Sequence, residues 1–207
     1  RCQVGRRRLH NRHGTVGTHS INGALYEKMP YDMVKNFTPI SLIASAPNLL
    51  VVNNDLPVKT VPELIAYMKA NPNKLSFGSP GIGTSVHMSG ELFKSMTGVQ
   101  MQHIPYKGSG PMIPDLLGGV LSMSFENLTT AYPPAKAGKL KALAVTSTKR
   151  SFLAPEVPTM AEGGVNGVEM DGGWYGMFAP AGTPPEIVNK LYAEIRKALA
   201  LPAVKER

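Results

Sequence analysis

Cysteine is almost missing: Cys2 is the single one in 207 residues, so neither an internal disulfide nor a thiolate metal cluster can form. A chain so poor in cysteine fits reducing and oxidising compartments alike. Long apolar runs are missing too. A membrane span needs roughly 18 such residues, and the best candidate, Ile40 to Val52, is broken by serines, Pro47 and Asn48. The charged N-terminus carries no apolar stretch of the signal-peptide kind. Acid is scarce, and the net charge of +8 would suggest a nucleic-acid partner. Its distribution argues against one. Arg1, Arg6, Arg7, Arg8 and Arg12 all fall in the first thirteen residues, and without them the balance drops to +3 with scattered lysines. The composition, 43% hydrophobic and 17% charged, is that of a soluble globular chain long enough to bury a sizeable core.

What the chain does contain is a glycine-rich connection, Phe77-Gly78-Ser79-Pro80-Gly81-Ile82-Gly83-Thr84-Ser85-Val86-His87-Met88. An apolar run ending at Phe77 precedes it. Met88, Leu92 and Met96 follow at helical spacing. Strand, glycine turn and helix in that order point the first backbone N–H groups of a helix outward, where a small anion is the natural guest. An ordinary strand-to-helix connection with a Ser or Thr N-cap is the alternative. Gly83 is followed by Thr84-Ser85 rather than by a lysine, which excludes the Walker loop. Position 86 is valine, which excludes the dinucleotide fingerprint. A carboxylate therefore fits better than a nucleotide.

From Phe37 onward apolar strand-like runs alternate with helical patterns. Strands are expected over 49–52, 101–104, 121–125 and 141–146, and helices over 61–70, 86–96, 108–117 and 128–137. Thr60 and Glu63 form a capping-box pair at the first of these helices. The alternation indicates an α/β domain with a largely parallel sheet. Two extended segments fenced by Gly or Pro, 37–45 and 173–180, flank this block. A helix over 187–200 follows, with Thr183 expected as its N-cap and Pro184 at N1. A discontinuous outer lobe, 14–46 with 170–207, around a continuous inner lobe, 47–169, gives this order, with the two extended segments as crossing strands. Clefts between lobes are favoured ligand sites.

No acid–base constellation stands out. His87 has no nucleophile or orienting acid at a usable spacing, and His19, His87 and His103 lack metal-ligand spacing. No catalytic residue, metal or cofactor is therefore assigned. Lys107 reads either as an anion contact or as a solvated turn residue. Trp174 and Tyr175 read as a cleft wall or as core.

Several runs together resemble the Bug proteins, the solute receptors of tripartite tricarboxylate transporters. They include Gly14-Thr15-Val16-Gly17-Thr18-His19-Ser20-Ile21-Asn22, Met29-Pro30-Tyr31-Asp32, residues 78–87, Ile104-Pro105-Tyr106-Lys107-Gly108, Val157-Pro158-Thr159 and Phe178-Ala179-Pro180-Ala181-Gly182-Thr183-Pro184. The resemblance implies a type II periplasmic-binding-protein-like fold, two α/β lobes joined by two crossing strands, here with an incomplete outer lobe. It implies a periplasmic, monomeric receptor that hands a small carboxylate to membrane permease subunits. The implied ligand contacts are Ser79, Gly81, Gly83, Thr84 and Ser85 on the inner lobe and Thr15, Gly17 and Thr18 on the outer. Glu126 and Asn127, standing where the family has Asp-Asn, and Trp174 complete the set. An α/β enzyme binding a phosphorylated or carboxylate substrate at Gly81–Gly83 is the competing reading. Residues 1–13 can be written in permitted codons that, read one base later, give the family's Asp-Gly-Tyr-Thr. A frameshifted leader is thus expected there, with a basic arm or non-native sequence as the alternative.

Overall fold

The computed structural model describes residues 12–170 and 172–205. The chain divides into two compact units, Arg1–Ser45 with Trp174–Arg207, and Ala46–Gly173. These boundaries move Ala46 and residues 170–173 from the expected outer lobe to the inner one. The expected leader, 1–13, lies outside the described residues up to position 11. Arg12 and His13, by contrast, belong to a strand.

The continuous unit holds a five-stranded sheet. Its strands are β3 (Asn48–Val52), β4 (Ser76–Ser79), β5 (Gln102–Pro105), β6 (Met123–Asn127) and β7 (Lys141–Val145), in the order β5-β4-β6-β3-β7. β4 runs parallel to β5 and to β6, whereas β3 runs antiparallel to both β6 and β7. Four strands thus point one way, and β3 is inserted between β6 and β7 against that direction. Every residue of β3 is buried, as expected for a central strand covered on both faces. The covering helices are α2 (Val61–Ala70), α3 (Ser85–Thr97), α4 (Ser109–Leu117) and α5 (Leu128–Lys136).

Two apolar clusters lie on the two faces of this sheet. One gathers Leu50, Phe77, Phe93 and Phe125; the other gathers Leu49, Val51, Met112 and Leu128. α3 fits closely because Gly90 lies on it: a Cβ there would overlap the Phe77 ring. α2 starts as its sequence predicts, with Thr60 accepting from the Glu63 N–H at 3.3 Å. The Glu63 carboxylate reaches back to the Lys59 N–H at 2.7 Å.

The other unit contains a three-stranded sheet, β1 (Arg12–Thr15), β8 (Gly173–Pro180) and β2 (Phe37–Ala46), in the order β1-β8-β2. A π-type turn over Gly17–Ile21 and the short α1 (Asn22–Leu25) follow β1. α6 (Pro185–Ala200) and α7 (Pro202–Lys205) follow β8. The N-cap of α6 is Pro184 rather than the expected Thr183, because the Thr183 hydroxyl donates to the Pro180 carbonyl at 2.7 Å. No residue of α6 is fully buried.

Candidate functional site

In the continuous unit the expected ligand residues gather at one edge of the sheet. β4, β5 and β6 are parallel, so Ser79 and Pro105 end side by side and β6 runs two residues further to Asn127, opposite which antiparallel β3 starts with Asn48. The Gly81–Ser85 loop leaves this edge from β4. Ligands of open α/β sheets favour the carboxyl ends of parallel strands.

The loop is held by its own side chains. Ser79 is fully buried; its hydroxyl donates to Gly81 O at 3.1 Å, accepts from Gly81 N–H at 3.3 Å and lies 2.7 Å from His103 Nε2. A serine has one proton, so with it on Gly81 O the imidazole presents Nε2–H to Ser79. Thr84 is the N-cap of α3: its Oγ1 accepts from the His87 N–H at 3.3 Å and donates to Gly81 O at 2.8 Å. The Gly83 N–H donates to His87 Nδ1 at 3.2 Å. Gly83 has φ +79°, the left-handed region that favours glycine.

These bonds redistribute the roles expected from sequence. The N–H groups of Gly81 and Gly83 are occupied, so these glycines shape the loop rather than donate from it. Ser79 and Thr84 likewise spend their hydroxyls internally. The donors without a protein acceptor among the described residues are the N–H groups of Ile82, Ser85 and Val86 and the Ser85 hydroxyl. Such unpaired first-turn groups carry the positive end of the helix dipole.

His103 stacks on Phe77, at 4.7 Å between centroids, and on His87, at 4.1 Å, and those two rings lie 6.4 Å from each other. Burial, and next the neighbouring His87, push its pKa down to about 4. His87 is also lowered, first by burial, while Glu91, 3.9 Å from its Nε2, opposes that shift. Sequence reading missed His103 as a loop support, because only the pairing of β4 with β5 sets it opposite Phe77.

Glu126 and Asn127 end β6. The Glu126 carboxylate is fully buried, and its Oε1 accepts from the Asn127 N–H at 2.8 Å and from Asn127 Nδ2 at 3.0 Å. Asn48, paired with Asn127 across β3 and β6, donates through Nδ2 to Ser89 Oγ at 3.0 Å. Asn48 Oδ1, Asn127 Oδ1 and Glu126 Oε2 have no partner among the described residues. Lys107 is exposed, and its neighbour Tyr106 is anchored by a 2.6 Å bond to Asp115 that raises the phenol to about 12.

The other unit brings Thr15, Gly17 and Thr18 together at the end of β1. Thr15 N–H donates to Thr18 Oγ1 at 2.9 Å, and the Thr18 hydroxyl lies 2.9 Å from His19 Nδ1. His19 stacks on Phe178 at 4.1 Å. Trp174, half-buried on β8, lies 6.2 Å from Phe178 between ring centroids.

Residues 15–207 match the family described as tripartite tricarboxylate transporter family receptor. The chain belongs to that family. It is similar to the protein BugT of Bordetella pertussis, 38% identical over 187 residues that cover 90% of this chain and 57% of BugT. Among solved structures it resembles R. palustris Rpa4515 with adipate (42% identity, TM-score 0.87, 93% of this chain, 64% of that one). It also resembles periplasmic binding protein BugD (36%, TM-score 0.88, 95% and 65%). MatC of Rhodopseudomonas palustris with bound malate is similar as well (32%, TM-score 0.87, 94% and 66%). The chain spans about half the length of the curated relatives it matches. The chain has an α/β fold of the type II periplasmic-binding-protein kind, as the resemblance read from sequence implies.

Proposed function

We propose that this chain is the periplasmic solute receptor of a tripartite tricarboxylate-type carrier, binding a small dicarboxylate and delivering it to membrane permease subunits. It acts as a monomer, without nucleic acid, cofactor or catalysis. The observation that carries the reading is the group of free donors at the start of α3, the N–H groups of Ile82, Ser85 and Val86 with the Ser85 hydroxyl, matched to one carboxylate. Adipate and malate in two similar structures support the dicarboxylate class. Glu126 and Asn127 border the donor group on the sheet edge. The enzyme reading has no observation in its favour: the one serine–histidine contact of this edge uses Ser79, which is fully buried and bonded to its own loop.

Calorimetric titration of the chain with adipate, malate, citrate and inorganic phosphate tests the proposal. Saturable binding of a carboxylate with none of phosphate is expected. Preference for phosphate, or turnover of any of the four, would sink it.

A further inference from the structure

Two helix starts and one turn in the continuous unit use the same device: a threonine accepts from the backbone of the residue three further on, whose side chain reaches back. At Thr60 the returning acceptor is the Glu63 carboxylate, on the Lys59 N–H. At Thr159 it is the Glu162 carboxylate, 2.7 Å from the Thr159 N–H, while Thr159 Oγ1 accepts from the Glu162 N–H at 3.1 Å. At Thr84 it is an imidazole: His87 donates its N–H to Thr84 Oγ1 and accepts the Gly83 N–H on Nδ1. A glutamate at this place of a capping box stays an acceptor at any pH near neutral. A histidine does not. Once protonated, both its ring nitrogens are donors, and Nδ1–H would face the Gly83 N–H.

We propose that His87 is the positioning residue of the anion loop: its unprotonated Nδ1 fixes Gly83, keeps the loop open around the free donors, and unlatches the loop on acidification. That the loop is the anion-binding one rests on the proposed function. The groups facing His87 are Glu91 at 3.9 Å from Nε2, Lys94 paired to Glu91 at 3.0 Å, and the stacked His103 ring. Protonation would attract Glu91 to Nε2, but it cannot restore an acceptor to Gly83. Burial lowers the His87 pKa, so the latch is closed at neutral pH and opens below the ordinary value of 6.5.

The test is a pH titration of the full chain by nitrogen–proton NMR, with no carboxylate present. The Gly83 amide should lose its downfield position together with shifts at Ile82, Thr84 and Ser85, at the same midpoint as the His87 ring proton. His87→Gln, the neutral capping-box residue, should hold these amides at their neutral-pH positions and abolish the titration; His87→Phe should displace them at every pH. Melting curves of the same samples exclude unfolding as the cause. A Gly83 amide that ignores the His87 titration in the wild-type chain overturns the proposal, whether or not the variants fold. An acid shift that persists unchanged in His87→Gln overturns it as well. Failure of every carboxylate to bind would instead refute the receptor reading and leave this result standing.

Discussion

At the scale of single residues the two hydroxyls that look alike in the sequence, Thr84 and Ser85, do different work. Thr84 caps α3, so Thr84→Ala should cost about 1 kcal/mol of stability, read as a lower denaturant midpoint. Ser85 offers a hydroxyl with no partner among the described residues, so Ser85→Ala should leave that midpoint nearly unchanged. It should weaken dicarboxylate binding by about 1–2 kcal/mol, the scale of a hydrogen bond to a charged acceptor. Unchanged binding in Ser85→Ala would show that Ser85 is not a contact. The sequence could mark both as polar residues in a glycine loop. It could not divide the roles, because that depends on which hydroxyl the turn folds back toward Gly81. His103 gives a pH signature of its own. The fold holds it neutral, so the unfolded chain takes up the proton first. Stability contributed by neutral His103 is present above pH 6.5 and is lost as pH falls from there to about 4. His103→Gln should flatten that part of the stability–pH curve, measured by thermal melting between pH 7 and pH 4. An unchanged slope would contradict the assignment.

At the scale of elements the sequence was a good guide to where strands and helices lie and a poor one to direction. Leu49 to Val52 reads as a buried strand in either orientation, since a strand covered on both faces is apolar throughout and carries no mark of its polarity. The reversal of β3 therefore emerges only from pairing, and with it the meeting of Asn48 and Asn127. The contact of α3 with β4 was hidden for a similar reason. Gly90 reads as a weak spot in a helix, yet it is where the Phe77 ring lies against the backbone. Gly90→Ala should raise helix propensity and still destabilise the continuous unit, by about 1–3 kcal/mol from overpacking. A stabilised variant in chemical denaturation would mean that α3 can shift away from the sheet at little cost.

At the scale of the whole molecule the two units differ in how much they bury. Both apolar clusters belong to Ala46–Gly173, whereas α6 buries no residue fully and Leu42 on β2 is 60% exposed. Hydrogen exchange should therefore be slowest in β3, β4 and β6, faster in the edge strand β5, and fastest in β2, β8 and α6. Uniform protection across all eight strands would contradict this ranking. The ends of the continuous unit are tied to one residue. Thr146 bonds Asn48 through backbone and side chain, its N–H reaching Asn48 O at 2.9 Å and its Oγ1 accepting from the Asn48 N–H at 3.1 Å. On the other side Thr146 O accepts from the Met170 N–H at 2.8 Å, and its hydroxyl donates to Met170 O at 2.7 Å. Gly172 lies so close to the Ala46 carbonyl that a Cβ there would overlap it. Entry and exit of this 128-residue segment are thus fastened at a single clasp, which makes it a transplantable cassette. Its ends could be joined by a short linker and new termini cut at an exposed turn such as Gly138, and the circular permutant would keep the same sheet order.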